Sequence, residues 1–173
     1  MRKNIFTLGL ALLFAVVLGG CGSPSGMDHN ADDVAFAQQM VPHHSQALDM
    51  AKLVPSRSTN PKVLDLASRI EKAQDPEIQQ MQGWLTTWGA GMPGMTHGSM
   101  PGMMPDADMR KLEAAKGPEF DRMWLDMMVE HHQGAIDMAN TELAKGGNAD
   151  AKALARKIID AQQAEITEMR SLR

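Results

Sequence analysis

Residues 33–85 and 121–173 repeat each other without a gap, at a spacing of 88 residues. Each copy carries a pair of adjacent histidines, and these two pairs account for four of the six histidines in the chain. Downstream of each pair, identical residues return at intervals of three and four, which is the spacing of one face of an α-helix. The chain is therefore expected to fold as two equivalent halves that bury the same helical stripes.

The stripes predict two helices in each half of the chain. Their expected ranges are about 31–54 and 61–87 in the first half, and about 118–145 and 149–172 in the second. Proline, glycine and asparagine predict turns at 55–61 and 146–148. Two such hairpins bury their stripes best by packing together, so we predict an all-α, ferritin-like four-helix bundle from hairpins at 31–88 and 111–173. Pro42 and Pro76 fall inside predicted helices and should bend them.

The N-terminus has the features of a secretory signal. Arg2 and Lys3 precede a short apolar run, and small residues lead to Cys21, the only cysteine. The run is too short to be a permanent membrane span. The Leu-Gly-Gly-Cys ending resembles the bacterial lipobox, which implies a signal peptide over 1–20, lipid on Cys21 and a linker over 21–30. Ordinary secretion with a free thiol is the alternative.

The charge of the chain excludes one class of partner. Without the signal peptide, 15 basic residues face 21 acidic ones. Nucleic-acid binding needs a clustered positive surface, so no nucleic-acid partner is expected.

The two histidine frames combine imidazole with thioether groups. Helical spacing places both rings of each pair toward the bundle interior, with one methionine a turn before them and another about two turns after. Together these side chains favour a soft ion, above all Cu(I). The candidate metal ligands are Met40, His43, His44, Met50, Met128, His131, His132 and Met138. Alternatively, the histidines form hydrogen bonds within the core and the methionines fill space.

Two glutamates lie on the repeated stripe of the second helices. A buried carboxylate is costly unless it is paired. Glu77 and Glu165 are therefore predicted to orient the histidines by accepting imidazole N–H groups. Direct ligation, or an ion pair with Arg69 or Lys157, are the alternatives.

Diiron chemistry is not expected in this bundle. Diiron sites in such bundles use a Glu-x-x-His motif, but Met40 and Met128 occupy the position three residues before the histidines. No pairing of nucleophile and base and no phosphate-binding loop is evident either, so the chain is not expected to be an enzyme.

The segment over 89–110 is rich in methionine, glycine and proline, and it predicts a mobile loop. Its thioethers and one histidine are candidates for a second soft-metal site. These residues are Met92, Met95, His97, Met100, Met103 and Met104. A spacer of biased composition, or a segment for sacrificial oxidation, are the alternatives.

The frame Met-x-x-His-His-x-x-Ala-x-x-Met-Ala, with the Ala-Gln-x-x-Glu-Ile stripe after it, resembles the bacterial family known as domain of unknown function 305. The resemblance covers about 33–88 and 118–172. It implies a ferritin-like helical bundle outside the cytoplasm, and some members bind copper and support copper tolerance. Carried over by position, it points to the same eight histidines and methionines.

We therefore expect a lipid-anchored, extracytoplasmic copper-binding protein that sequesters Cu(I) or exchanges it with a donor or acceptor protein, with Ag(I) as a surrogate ion. A metalloenzyme that oxidises Cu(I) or handles peroxide, and a metal-free envelope scaffold, are the rival expectations.

Overall fold

Helices form nearly all of the chain that the computed structural model describes, which is residues 29–92 and 100–173. The helices are α1 (Ala31–Arg57), α2 (Pro61–Thr87), α3 (Asp106–Ala114), α4 (Gly117–Lys145) and α5 (Ala149–Ser171). These ranges contain no strand, and the predicted all-α bundle is confirmed. The predicted signal peptide, Cys21, Met95 and His97 lie outside the described residues.

Asparagine starts three of the four long helices. Asn30 caps α1 in a capping box with Asp33, Asn60 caps α2 just before Pro61, and Asn148 caps α5. An asparagine side chain accepts the first free backbone N–H groups of a helix and so stabilises its start. The hairpin turns are consequently short, and the second turn lies at the predicted 146–148.

Proline interrupts the helices less than the sequence suggests. α1 runs through Pro42 and continues past Pro55 to Arg57, where the N–H of Ser58 still donates to the carbonyl of Val54 at 2.9 Å. The first turn therefore spans only 58–60, not the predicted 55–61. α2 likewise runs through Pro76. The bends expected at these prolines stay a prediction.

The two hairpins meet through α1 and α4, and each of these helices also packs against its own hairpin partner. Two core clusters lie along this crossing. One contains Met50, Met128 and Trp124, and the other contains Met40 and Met138. Met40 precedes the histidines of α1, and it shares a cluster with Met138, which follows the histidines of α4. The helices α1 and α4 therefore run in opposite directions, and their histidine pairs lie at the same level.

Helix α3 is the element that the sequence prediction missed. It begins inside the segment predicted to be irregular over 89–110, and its Leu112 is fully buried against the core. Only two large apolar residues, Met109 and Leu112, lie in this short charged run and give a weak periodic signal, so packing against the bundle decides this helix. None of the helices in the described ranges is long and apolar enough to cross a membrane.

A buried carboxyl pair joins the start of α1 to the turn between α4 and α5. Asp33 accepts the backbone N–H groups of Gly147 at 3.0 Å and Asn148 at 2.9 Å. Glu142 is also buried, and its carboxyl group covers Gly146 so closely that a side chain there would collide with it. Burial, followed by the effect of the neighbouring Asp33 carboxyl group, raises the pKa of Glu142 to about 8. Glu142 therefore holds a proton at neutral pH.

Replacing Glu142 should change how stability depends on pH. The folded protein keeps the Glu142 proton up to about pH 8, whereas an unfolded glutamate releases it near 4.5. The unfolded state therefore binds fewer protons in this window, and stability should fall as pH rises from 4.5 to 8. Glu142→Gln should flatten this decline, giving a melting temperature several degrees above the wild type at pH 8.5 but not at pH 5. Glu130→Gln, on the exposed face of the same helix, is the control, and equal pH slopes in all three proteins would contradict the assignment.

Candidate metal centre

Four imidazoles lie in one buried layer where α1 crosses α4. His43, His44 and His132 are fully buried and His131 is 1% exposed. The rings of His43 and His131, one from each hairpin, approach to 3.7 Å between centroids, and those of His131 and His132 to 6.4 Å. The duplicated frames thus bring their histidines together, as the sequence predicted.

Glutamates from the outer helices hold one histidine of each pair. His44 Nε2 lies 3.0 Å from Glu77 Oε2, and His132 Nε2 lies 2.7 Å from Glu165 Oε2. Each contact joins the two helices of one hairpin, so the duplication repeats it. Glu77 Oε1 also forms an ion pair with Lys157 Nζ at 3.2 Å. Glu77 therefore contacts His44 and Lys157 at the same time, so the two predicted alternatives for this residue are both present. Arg69 contacts Asp65 and Glu168 instead.

The hydrogen bonds determine which ring nitrogens carry lone pairs. A carboxylate or a carbonyl only accepts, so a neutral imidazole must donate its Nε2–H to Glu77 or Glu165 and leave Nδ1 unprotonated. His43 Nε2 likewise donates to the carbonyl of Pro101 at 3.1 Å. These three Nδ1 atoms and both ring nitrogens of His131 are buried with no hydrogen-bond partner among the described residues.

Burial keeps the rings of His43, His44 and His131 neutral. It lowers the pKa of His43 to about 3, and the neighbouring His44 adds to this effect. Burial also lowers the pKa of His44, despite the opposing contact with Glu77, and holds that of His131 well below its ordinary value. Burial alone would raise the pKa of Glu77, but His44 and Lys157 together lower it, so Glu77 stays ionised. A neutral imidazole is the form that binds a metal ion.

The four helical methionines flank the histidine layer. Met40 and Met138 belong to the core cluster on one side, and Met50 and Met128 to the cluster on the other. All four are buried, and the backbone carbonyl of Met50 accepts a hydrogen bond from Trp124 Nε1 at 3.1 Å. These four methionines therefore pack in the core, and metal ligation by their thioethers stays a prediction. Within the described ranges, no three His, Cys, Asp or Glu side chains already surround a metal position.

Part of the methionine-rich segment covers the histidine layer. Gln46 fixes it by donating to the carbonyl of Met104 at 2.9 Å and accepting the N–H of Met104 at 2.7 Å. A Cβ on Gly102 would lie 2.9 Å from the carbonyl oxygen of His131, and one on Gly134 would collide with the carbonyl of Pro101. Residues 100–105 form no helix or strand, as predicted, but they are held against the bundle rather than free.

The residues that grip this segment occupy equivalent places in the repeat. Gln46 and Gly134 correspond at the spacing of 88 residues. The covering segment passes between α1 and α4 and contacts both positions. The Gln46 side chain on α1 forms hydrogen bonds with it, and the absence of a side chain at Gly134 on α4 leaves room for it. Sequence reasoning missed these two residues and Pro101. The mismatch of glutamine and glycine inside a well-matched repeat was the available signal.

The remaining predicted residues are dispersed. Met104 is buried, Met100 and Met103 are half-buried, and Met92 is exposed at the end of the described part of the first half. Gln74 and Gln162 are buried on the repeated stripe, and the amide group of Gln74 has no hydrogen-bond partner among the described residues.

The family resemblance is confirmed by comparison with known proteins. The profile of the domain of unknown function DUF305 matches residues 33–173, and the chain belongs to this family. A DUF305 protein from Streptomyces coelicolor has a solved structure that is 33% identical, with a TM-score of 0.77 over 82% of this chain and 91% of that one. The uncharacterized protein L153 of Acanthamoeba polyphaga mimivirus is 37% identical over 54 residues. That match spans 31% of this chain and 36% of the viral protein, so only about a third of the relative is covered.

A third relative has been solved with metals. CopM in its Cu(I)-bound form is 30% identical, with a TM-score of 0.71 over 81% of this chain and 94% of CopM. Cu(II)-bound and Ag-bound forms of CopM have the same fold. The metals in these structures are bound by CopM.

Replacing Gly134 should displace the covering segment. Alanine normally stabilises a helix by about 1 kcal/mol relative to glycine, but here its methyl group would strike the Pro101 carbonyl. We expect Gly134→Ala to lower the melting temperature and to speed hydrogen exchange at the Met104 amide, which Gln46 protects. Gly83→Ala, a helical position with no atom within 4 Å of the added carbon, should do neither. Identical behaviour of the two variants would show that the segment is not seated at Gly134.

Proposed function

We propose that this DUF305 protein binds copper as cargo outside the cytoplasm, and that it sequesters Cu(I) or transfers it to another protein through the buried histidine layer. The ion is bound and released rather than used for turnover. The predicted signal peptide and Cys21 would place the bundle at a membrane surface, held by lipid.

The observation that carries this proposal is the set of unpaired ring nitrogens in the layer. A buried polar group without a partner costs about 1–3 kcal/mol, and five such atoms lie within one small region. Four of them carry lone pairs, because a neutral His131 keeps a proton on one of its two nitrogens. A bound ion that accepts these lone pairs would offset most of the cost. Apolar side chains in place of the histidines would fill the same space without this cost.

The outer partners of the rings support the same reading. A metal-binding histidine usually donates its second ring N–H to a carboxylate or a backbone carbonyl, which fixes the ring and makes the other nitrogen more basic. Glu77, Glu165 and the Pro101 carbonyl supply this arrangement for three of the four histidines. The Nδ1 atoms of His43, His44 and His132 would then bind the ion, and His131 is the fourth candidate ligand.

The surroundings favour a soft monovalent ion over a hard divalent one. Apolar and thioether side chains line both sides of the layer, and the carboxylates already bind imidazole or lysine. Hard ions prefer several oxygen ligands, whereas imidazole and thioether suit Cu(I). The similarity to CopM, solved with Cu(I) and Ag, supports copper as the cargo.

His131 offers a direct test of the layer. Phenylalanine keeps an aromatic ring against His43 but removes both ring nitrogens, so His131→Phe should fold at least as stably as the wild type. If the layer binds Cu(I), affinity measured against a competing chelator should fall by about tenfold or more, which is the loss of about 1.4 kcal/mol.

His29 provides the matched control. Its ring also stacks on an aromatic side chain, that of Trp88 at 4.7 Å, but outside the layer. His29→Phe should leave Cu(I) affinity unchanged. Equal affinities for the wild type and both variants would reject the histidine layer as the binding site.

The glutamates should matter for affinity through the rings that they orient. Glu165→Gln replaces the carboxylate that accepts the His132 N–H and orients its ring, and changes of this kind cost metal affinity about 10–100-fold. Glu168→Gln, on the same helix but paired with Arg69, should bind Cu(I) as the wild type does. If both variants bind equally well, Glu165 serves only the fold.

A further inference from the structure

A second group of thioethers lines a cavity beside the turn of α1 that carries His43 and His44. The cavity has a volume of about 500 Å³ and lies between α1, the end of α2 and α3. Met92, Met103 and Met109 line it, together with Pro42 and Ser45 on the turn of α1 that carries the histidine pair. The histidines themselves are not among its walls.

These methionines reach the cavity from three separate parts of the chain. Met92 follows α2, Met103 belongs to the segment clamped by Gln46, and Met109 lies on α3. Their convergence is therefore a product of the fold and not of closeness in sequence. Two of the three are fixed, because the amide of Met104 is bonded to Gln46 and α3 is anchored by buried Leu112.

Packing accounts for only part of Met92. It is 44% exposed, and no other large hydrophobic residue is exposed to this degree among the described residues. The exposed part gains no burial energy, and an exposed thioether is open to oxidation. A soft ion at the cavity would give this sulfur a partner.

Two carboxylates line the cavity beside the neutral thioethers, and one of them is paired with a lysine. Asp49 and Asp106 lie among the lining residues, and Asp49 is exposed with Lys52 Nζ at 3.7 Å. Carboxylates at a cavity mouth raise the local concentration of cations. Thioether sulfur then selects soft ions such as Cu(I) and Ag(I) from among them.

We infer that this thioether cavity binds one soft monovalent cation through Met92, Met103 and Met109, as a site separate from the histidine layer. The inference extends the proposed function by giving Cu(I) a solvent-accessible site on the same turn of α1 as the buried layer.

Ag(I) titration of the whole protein with isotope-labelled methionine methyl groups tests the cavity. The methyl resonances of Met92, Met103 and Met109 should shift together in a single saturable step. The variant Met103→Leu/Met109→Leu, which nearly conserves side-chain volume, should melt like the wild type and retain one fewer equivalent of Ag(I) after dialysis. Met123→Leu is the control, because Met123 packs against the same core cluster as Met109 but does not line the cavity.

The outcomes separate the two sites. Loss of one equivalent in the double leucine variant, both in the wild-type background and with His131→Phe, would establish the cavity as an independent site. Full retention of Ag(I), or shifts confined to other methionines, would overturn the inference and leave the histidine layer unaffected. Conversely, loss at the cavity with no effect of His131→Phe would reject the proposed function and keep the cavity.

Discussion

Where α1 crosses α4, four imidazoles are withdrawn from water, and each ring nitrogen there must find a partner or cost the fold free energy. The outer helices satisfy one nitrogen of His44 and one of His132 with carboxylates, and the Pro101 carbonyl satisfies one of His43. Two of these partners lie on the outer helices, and the third lies in the segment that covers the layer. The unsatisfied nitrogens belong to the layer itself, and burial keeps His43, His44 and His131 neutral, so that their lone pairs stay available to a cation.

Duplication explains the symmetry of this layer, and the connecting segment explains where the symmetry ends. The contacts of His44 with Glu77 and of His132 with Glu165 are copies of one another. His43 and His131 differ, because the Pro101 carbonyl lies within hydrogen-bond distance of His43 Nε2, whereas neither ring nitrogen of His131 has a hydrogen-bond partner among the described residues. The glutamine and glycine at the equivalent positions 46 and 134 are the local changes that let one segment cover a two-fold arrangement.

The repeat made most of the fold predictable. Its three- and four-residue spacing located the four long helices to within a few residues and showed that the histidine pairs would meet. The pairing of the two buried glutamates with imidazoles also followed from the cost of burying a carboxylate, whereas the choice of histidine within the same hairpin did not. α3 was not predictable, because its stability comes from burying Leu112 against helices distant in sequence. The Pro101 carbonyl and the cavity around Met109 were hidden for the same reason, since both depend on how the connecting segment is folded back.

The central claim is that imidazole nitrogens hold the copper. X-ray absorption at the copper edge of the protein saturated with Cu(I) tests it most directly, because nitrogen and sulfur ligands scatter differently. The structure predicts imidazole scattering together with sulfur, and a weaker imidazole contribution in His131→Phe. A spectrum with sulfur ligands alone would contradict the account of the histidine layer.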